Sequence, residues 1–297
     1  MNDHDMTFFP GLHQPSDAKN FDRCFVSINR LRDRKSDFEV GDWILDSGAF
    51  TELTRTGYFR SSVAEYAAQI ARWSRCGRLL AACSQDYMCE PFMFEGQQSE
   101  AEWREEMIFE GASPAWFDSN EFEFDSFGVA DHQSMTVERF GQLVSAVRSL
   151  GCQTYVMPVL QGYAPADYVT IIDLYEEAGH LPFGAWVGVG SVCKRNSNAD
   201  SIVEVLEAIR SRRPDLRLHG FGLKQTALEN PRVVQLLSTS DSMAWSDAAR
   251  KMRNRKRKAG WSPERVAELP SQNDWRTAAA YESEVNDIIS GGQLALF

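Results

Sequence analysis

Three aspartates, a glutamine and three glycines stand where apolar runs of this chain end. Asp46 closes "WILD" and is followed at once by Ser47, Gly48 and Ala49. Asp86 sits in "SQDYMCEP", Gln161 and Gly162 follow "TYVMPVL", and Gly188 and Gly190 punctuate "AWVGVG", with Lys194 and Arg195 just beyond. Lys224 ends "LRLHGFGLK", and Asp241 lies in "STSDSMAWS". Taken singly, each Asp reads as a helix or strand cap, the glycines as close packing and the cations as surface charge. Gathered at one mouth, they suit a planar purine-like base. An Asp and Gln pair can read the N1–H, exocyclic amine and O6 edge of guanine, and a glycine floor lets a ring lie against backbone. A further carboxylate can attack a sugar C1′ to give a glycosyl ester, while another acid protonates the departing base. Two such displacements retain configuration, as base exchange in a nucleic acid requires.

Elements that would bring these residues together can be read along the chain. Strands are predicted over 24–28, 43–47, 79–84, 154–160, 185–190, 216–222 and 242–245, with 7–9 as an eighth. Their apolar runs are continuous, as in parallel strands buried on both faces. Helices intervene. Ser62 and Glu65 make a capping box, and Gly77 closes that helix. Thr136 opens another that stops at Gly151, Pro165 and Gly179 bracket a third, and Asn230-Pro231 starts a fourth. This alternation predicts an α/β fold, a (β/α)₈ TIM-like barrel with chemistry at the strand C-termini; an open doubly wound sheet is the alternative. The barrel is expected over 1–260, with an acidic insertion at about 95–130. A C-terminal helical extension over 261–290 and a flexible tail over 291–297 would follow.

Composition narrows the class. The chain has 297 residues, 43% hydrophobic and 25% charged, which is ordinary globular usage. No basic region precedes an apolar one at the N-terminus and no run reaches membrane-spanning length, so a cytoplasmic protein is expected. The six cysteines have no metal-ligand spacing, which predicts reduced thiols, no structural metal and no cofactor. A net charge of −11 argues against loose, sequence-blind nucleic-acid binding.

"DSGAFT" resembles the Asp-Ser-Gly-Gly-Phe segment of the tRNA-guanine transglycosylases. The chain as a whole is more similar to their DNA-acting relatives, the DNA 7-deazaguanine transglycosylases of phages and bacterial modification islands. The likeness runs through "DWILDSGAFTE", "QDYMCEP", "HQSMTVERF", "MPVLQGY", "AWVGVGSVCKRN", "RPDLRLHGFGLK" and "DSMAWS". It implies that Asp241 is the nucleophile and Asp46 the acid/base beside the bound base. Asp86 and Gln161 would read the base edge, with Ser47, Gly48, Gly162 and the backbone at Gly188 and Gly190 around it. The tRNA enzymes carry a Cys-x-Cys-x-x-Cys and His zinc site after the nucleophile, and this chain has no Cys beyond 193. That departure weakens a tRNA substrate without touching the base chemistry.

Two charged stretches and the C-terminus complete the reading. "RKMRNRKRK", 250–258, follows Asp241 and so leaves from the catalytic face. With Lys194, Arg195 and Lys224, its Arg250, Arg253, Arg255, Lys256 and Arg257 can contact phosphates beside an extruded nucleotide; a solvated helix face explains the run equally well. The acidic, aromatic insertion reads as a lid, a partner-docking surface or a packed excursion. The final "QLALF" resembles the peptide by which bacterial replication and repair proteins dock on a sliding clamp. Gln293, Leu294, Leu296 and Phe297 would then be its anchors behind a Gly-Gly joint, against an apolar tail folded on its own barrel. The expected partners are DNA and a 7-deazaguanine base, 7-cyano-7-deazaguanine foremost, with the sliding clamp and an accessory modification protein as further candidates. The rival functions are an RNA or tRNA transglycosylase and a non-catalytic base- or DNA-binding module.

Overall fold

Every strand pairing in the computed structural model is parallel, and the model describes residues 6–94 and 128–294. The strands are β1 (Thr7–Pro10), β2 (Arg23–Ser27), β3 (Asp42–Asp46), β4 (Arg78–Cys83), β5 (Val156–Met157), β6 (Val159–Leu160), β7 (Trp186–Val189), β8 (Arg217–Gly220) and β9 (Thr239–Ser242). They form two sheets, ordered β1-β9-β8-β7-β6 and β2-β3-β4-β5. The sheets meet at two places. Gly11, just past β1, bridges to Phe25 of β2, and only Pro158 separates β5 from β6. Proline has no N–H for the ladder, so the strand expected over 154–160 is split in two, though the Pro158 carbonyl still accepts from Gly188 N at 2.9 Å.

Alternate residues of each strand enter different apolar layers. Phe9, Phe25, Ile44, Ala81, Met157 and Trp186 pack together on one side. Their neighbours Phe8, Val26, Trp43, Ala82, Val156 and Val187 join a larger cluster shared with the helices. Both faces of the sheets are therefore dry, which is why the runs carry no alternation of polarity. Helices connect the strands, and their caps follow the local chemistry. The Ser62 hydroxyl accepts from Glu65 N, and Glu65 accepts from Ser62 N at 2.8 Å, opening Val63–Trp73. Pro165 begins Pro165–Glu177, and the Asn230 side chain caps Pro231–Leu236.

Three local expectations are corrected. The last strand is Thr239–Ser242 rather than 242–245: Ala244 already starts the helix Ala244–Lys258, and Trp245 packs within it, its indole N–H donating to Gly11 O at 2.9 Å. Thr239, Ser240, Asp241 and Ser242 are polar yet buried, so an apolar run was the wrong guide there. Thr136 does not open a helix but lies inside Val129–Ser149, where its hydroxyl accepts from Tyr87 N at 2.9 Å. The Gly291-Gly292 joint is not a break, because the final helix runs Trp275–Leu294 through it.

Past residue 260 come the helices Pro263–Ala267 and Trp275–Leu294. The second joins the main core through Ala278, Val285 and Ile289, and Tyr281 lies 6.1 Å from the Phe8 ring of β1. The acidic insertion falls, over 95–127, outside the described residues, as do positions 295–297 of the tail. Among the described residues no helix is long and apolar enough to cross a membrane.

Trp43 shows what holds β3 in place. It is fully buried, its indole N–H donates to Cys76 O at 2.7 Å, and its ring meets Phe38 edge-on at 5.4 Å. Trp43→Ala should cost about 3–5 kcal/mol of stability and Trp43→Phe about 1–3 kcal/mol, the cost of leaving the Cys76 carbonyl unpaired. Urea unfolding of both variants checks the order; a Trp43→Phe variant as stable as the parent would show that the hydrogen bond contributes nothing.

Candidate active site

The strand C-termini surround a cavity of about 380 Å³, within the range that holds small-molecule ligands. Asp46, Ser47, Asp86, Gln161, Gly190, Lys194, Lys224 and Asp241 all line it. Asp46 is the last residue of β3, on the same side of the strand as Ile44, so the pleat turns its carboxylate inward. Its carboxyl is pushed up to about 6, chiefly by burial, against hydrogen bonds from Ser27, Gly48 and Ser47 and with a further push from Asp241. Gly48 adopts φ 74° at the head of the helix Ala49–Thr56, a left-handed turn that suits glycine, and a Cβ there would lie 2.4 Å from the Asn29 amide.

Asp86 and Gln161 form the opposing pair. Gln161 Nε2 donates to Asp86 Oδ2, and Gln161 Oε1 accepts from Ser191 Oγ at 2.9 Å. The carboxamide is thus oriented by both its ends. Gln133 Nε2 holds the Gln161 backbone carbonyl at 2.8 Å. Gly190 is glycine because this amide occupies the space: a Cβ would lie 2.4 Å from Gln161 Nε2. Burial pushes the Asp86 carboxyl up to about 7, the Gln161 hydrogen bond opposing it and the charges of Asp46 and Glu90 adding to it.

Asp241 sits in β9 opposite Phe9 of β1, buried at 6% exposure. Gly222 N donates to its Oδ1 at 3.1 Å, and His219 Nε2 lies 3.2 Å from the same oxygen.

Not every expected residue reaches the cavity. Gly188 packs under Phe221, and Gly162 lies against Asp167 and Tyr168, so both serve close packing. Arg195 turns to the Tyr163 carbonyl and stacks 4.5 Å over that ring. In the helix Ala244–Lys258, Arg250 pairs with Asp247 at 2.7 Å, Arg253 donates to Leu269 O at 2.7 Å, and Lys256 lies 4.5 Å over Trp261. Arg255 and Arg257 are exposed. Phe25, Phe50, Phe221 and Glu90 also line the cavity without having been singled out as site residues, as do Asp247, the alternative nucleophile should Asp241 fail, and Lys251 of the basic run. His219 is a buried contact of Asp241 that went unassigned. Its alternation with Leu218 in β8, which belongs to the outer layer, is the signal that would have found it.

The raised Asp86 carboxyl has a consequence for stability. Its folded value, about 7, lies above the ordinary 3.8 of the unfolded chain. The folded state therefore holds the proton more tightly; that contribution is full below about pH 4 and is lost as pH rises through about 7. Asp86→Asn, which cannot ionise and can still accept from Gln161, should melt a few degrees above the parent at pH 8. Scanning calorimetry should find the gain shrinking toward pH 4; a gain independent of pH would contradict the assignment.

A search of curated proteins returned no match. The sequence profile of the family DpdA, DeoxyPurine in DNA protein A, matches residues 1–111 and 115–257. This span contains every residue described in the cavity, and the chain belongs to the DpdA family.

Proposed function

We propose that this protein exchanges guanine in DNA for a 7-deazaguanine, 7-cyano-7-deazaguanine foremost, through a covalent aspartyl-deoxyribose intermediate. The observation that carries the reading is the meeting of Asp46, Asp86, Gln161 and Asp241 in one cavity, in a chain whose family is described by deoxypurines in DNA. The strand order supports a (β/α)₈ barrel as its frame, with β5 and β6 as one strand interrupted at Pro158 and the ring closed between β1 and β2.

In this reading the target nucleotide leaves the stack and its base lies among Phe25, Phe50 and Phe221. Asp86 accepts from the N1–H and amine edge, and Gln161 completes the edge contacts. An Asp241 oxygen attacks C1′; the C1′–N9 bond breaks, its electron pair passing to the base as Asp46 supplies a proton. The free guanine departs. The incoming deazaguanine gives its N9 proton back to Asp46, N9 attacks C1′, and the ester bond returns its electrons to Asp241. A carboxyl held near 6 suits this two-way transfer. Lys194, Lys224, Lys251 and the exposed Arg255 and Arg257 then face phosphates, placing local positive charge on an otherwise acidic protein.

Incubation of the protein with labelled 7-cyano-7-deazaguanine and either DNA or tRNA tests the reading. Label should enter DNA; entry into tRNA alone would favour the RNA enzyme, and base binding without entry would favour a non-catalytic module. Asp241→Asn should bind base yet lose exchange by several orders of magnitude. The first half-reaction should slow as pH rises through about 6, where Asp46 loses its proton, and Asp46→Asn should lack that limb.

Charge reversal at Arg255 and Arg257 should weaken binding to DNA of every sequence and flatten its salt dependence. An unchanged salt slope in a filter-binding titration would return the run to a solvated face.

A further inference from the structure

His219 is fully buried between the two ends of the strands, and the exchange reaction as drawn above makes no use of it. Its ring stacks on Phe25 at 5.6 Å and 12°, and Phe221 meets it edge-on at 4.9 Å. Both ring nitrogens have partners. Nδ1 lies 2.8 Å from Thr239 Oγ1, and Nε2 lies 3.2 Å from Asp241 Oδ1. Thr239 Oγ1 in turn accepts from the Trp186 indole N–H at 2.9 Å.

The direction of this chain follows from what each group can do. An indole N–H donates and never accepts. Thr239 takes that hydrogen bond on a lone pair and keeps its own hydroxyl hydrogen to give to Nδ1. A neutral imidazole that accepts at Nδ1 carries its proton on Nε2. That N–H then meets Asp241. The opposite tautomer would set the Nε2 lone pair against a carboxylate oxygen inside an aromatic cage, where an unmatched polar contact is costly.

We propose that His219 is a positioning residue for Asp241, donating Nε2–H to Oδ1 in a tautomer fixed by the Trp186–Thr239 donor chain. The inference rests on the reading of Asp241 as nucleophile. With Gly222 N on the same oxygen, two donors hold Oδ1 and leave Oδ2 to form the bond to C1′ while the C1′–N9 bond breaks toward the base. The two donors also keep the carboxylate from rotating, so the attacking atom is chosen before substrate arrives. The chain spans the strand layer: Trp186 and Thr239 line a separate cavity of about 650 Å³ at the strand starts, whereas Asp241 lines the cavity at their ends.

Two measurements on the full chain decide it. Histidine-selective ¹⁵N NMR, with the His219 signals identified by their loss in His219→Gln, should show Nε2 protonated and Nδ1 bare; an Nδ1–H tautomer or a doubly protonated ring overturns the proposal. Single-turnover exchange should then separate the variants. His219→Gln, whose amide can reach the Nε2 position, should stay within about tenfold of the parent, while His219→Asn and Thr239→Val should fall by about 10- to 100-fold with base affinity unchanged. Thr239→Ser should restore the rate. His219→Gln as slow as His219→Asn, or Thr239→Val at the parent rate, overturns the proposal. If His219→Asn does not fold, the two Thr239 variants and the NMR still decide. If the parent itself shows no exchange, the base-exchange reading fails while the tautomer result stands on its own.

Discussion

The hydrogen bond from the Gln161 amide to Asp86 depends on several positions and in turn sets the form of the cavity. Ser191 fixes the other end of that carboxamide and Gln133 fixes its backbone. Gly190 leaves it room, and the Tyr168 hydroxyl holds the Gly190 carbonyl at 2.8 Å. Even the backbone at Ser191, with φ 57° in a residue that is not glycine, fits this demand, since the hydroxyl must reach Gln161. Such strain persists where surrounding contacts over-determine it.

Desolvation gives the pair its chemical character. Asp46, Asp86 and Asp241 border one cavity with Glu90 and Asp247, and burial raises Asp46 and Asp86 into the range where a proton can be held or released near neutral pH. Asp241 differs, being held by a backbone N–H and an imidazole on one oxygen. Similar side chains thus acquire distinct tasks from their neighbours alone.

Much of this was legible in the residue order because parallel strands leave plain marks. Asp46 after Trp43-Ile44-Leu45, and Gln161 after an apolar run, announced strand ends, and their convergence followed from the α/β alternation. β9 was misplaced because Thr239 to Ser242 are polar; their burial rests on partners elsewhere in the chain, such as the indole of Trp186 for Thr239. His219 was passed over for a related reason. A histidine among leucines looks like core filling until the strand's alternation is counted and Asp241 is seen across the ladder. The fate of the basic run was also invisible, since Arg253 is spent on a carbonyl sixteen positions away and only a fold can say so.

The register of β1 with β9 sets a schedule as well as a shape. Phe9 pairs with Asp241, and the helix Trp275–Leu294 packs on the other face of β1, against Phe8. Residues from the first and last parts of the chain must meet before the strand bearing Asp241 has both its neighbours. Contacts this distant in sequence form late, after most loop closure is complete. On a ribosome, the segment carrying Asp241 would emerge well after Asp46, Asp86 and Glu90 and wait for its covering helix. A chain interrupted before that helix would leave Ala278, Val285 and Ile289 out of the core. Truncated copies would therefore carry the strand of Asp241 complete in sequence but with the Phe8 side of its neighbour β1 uncovered.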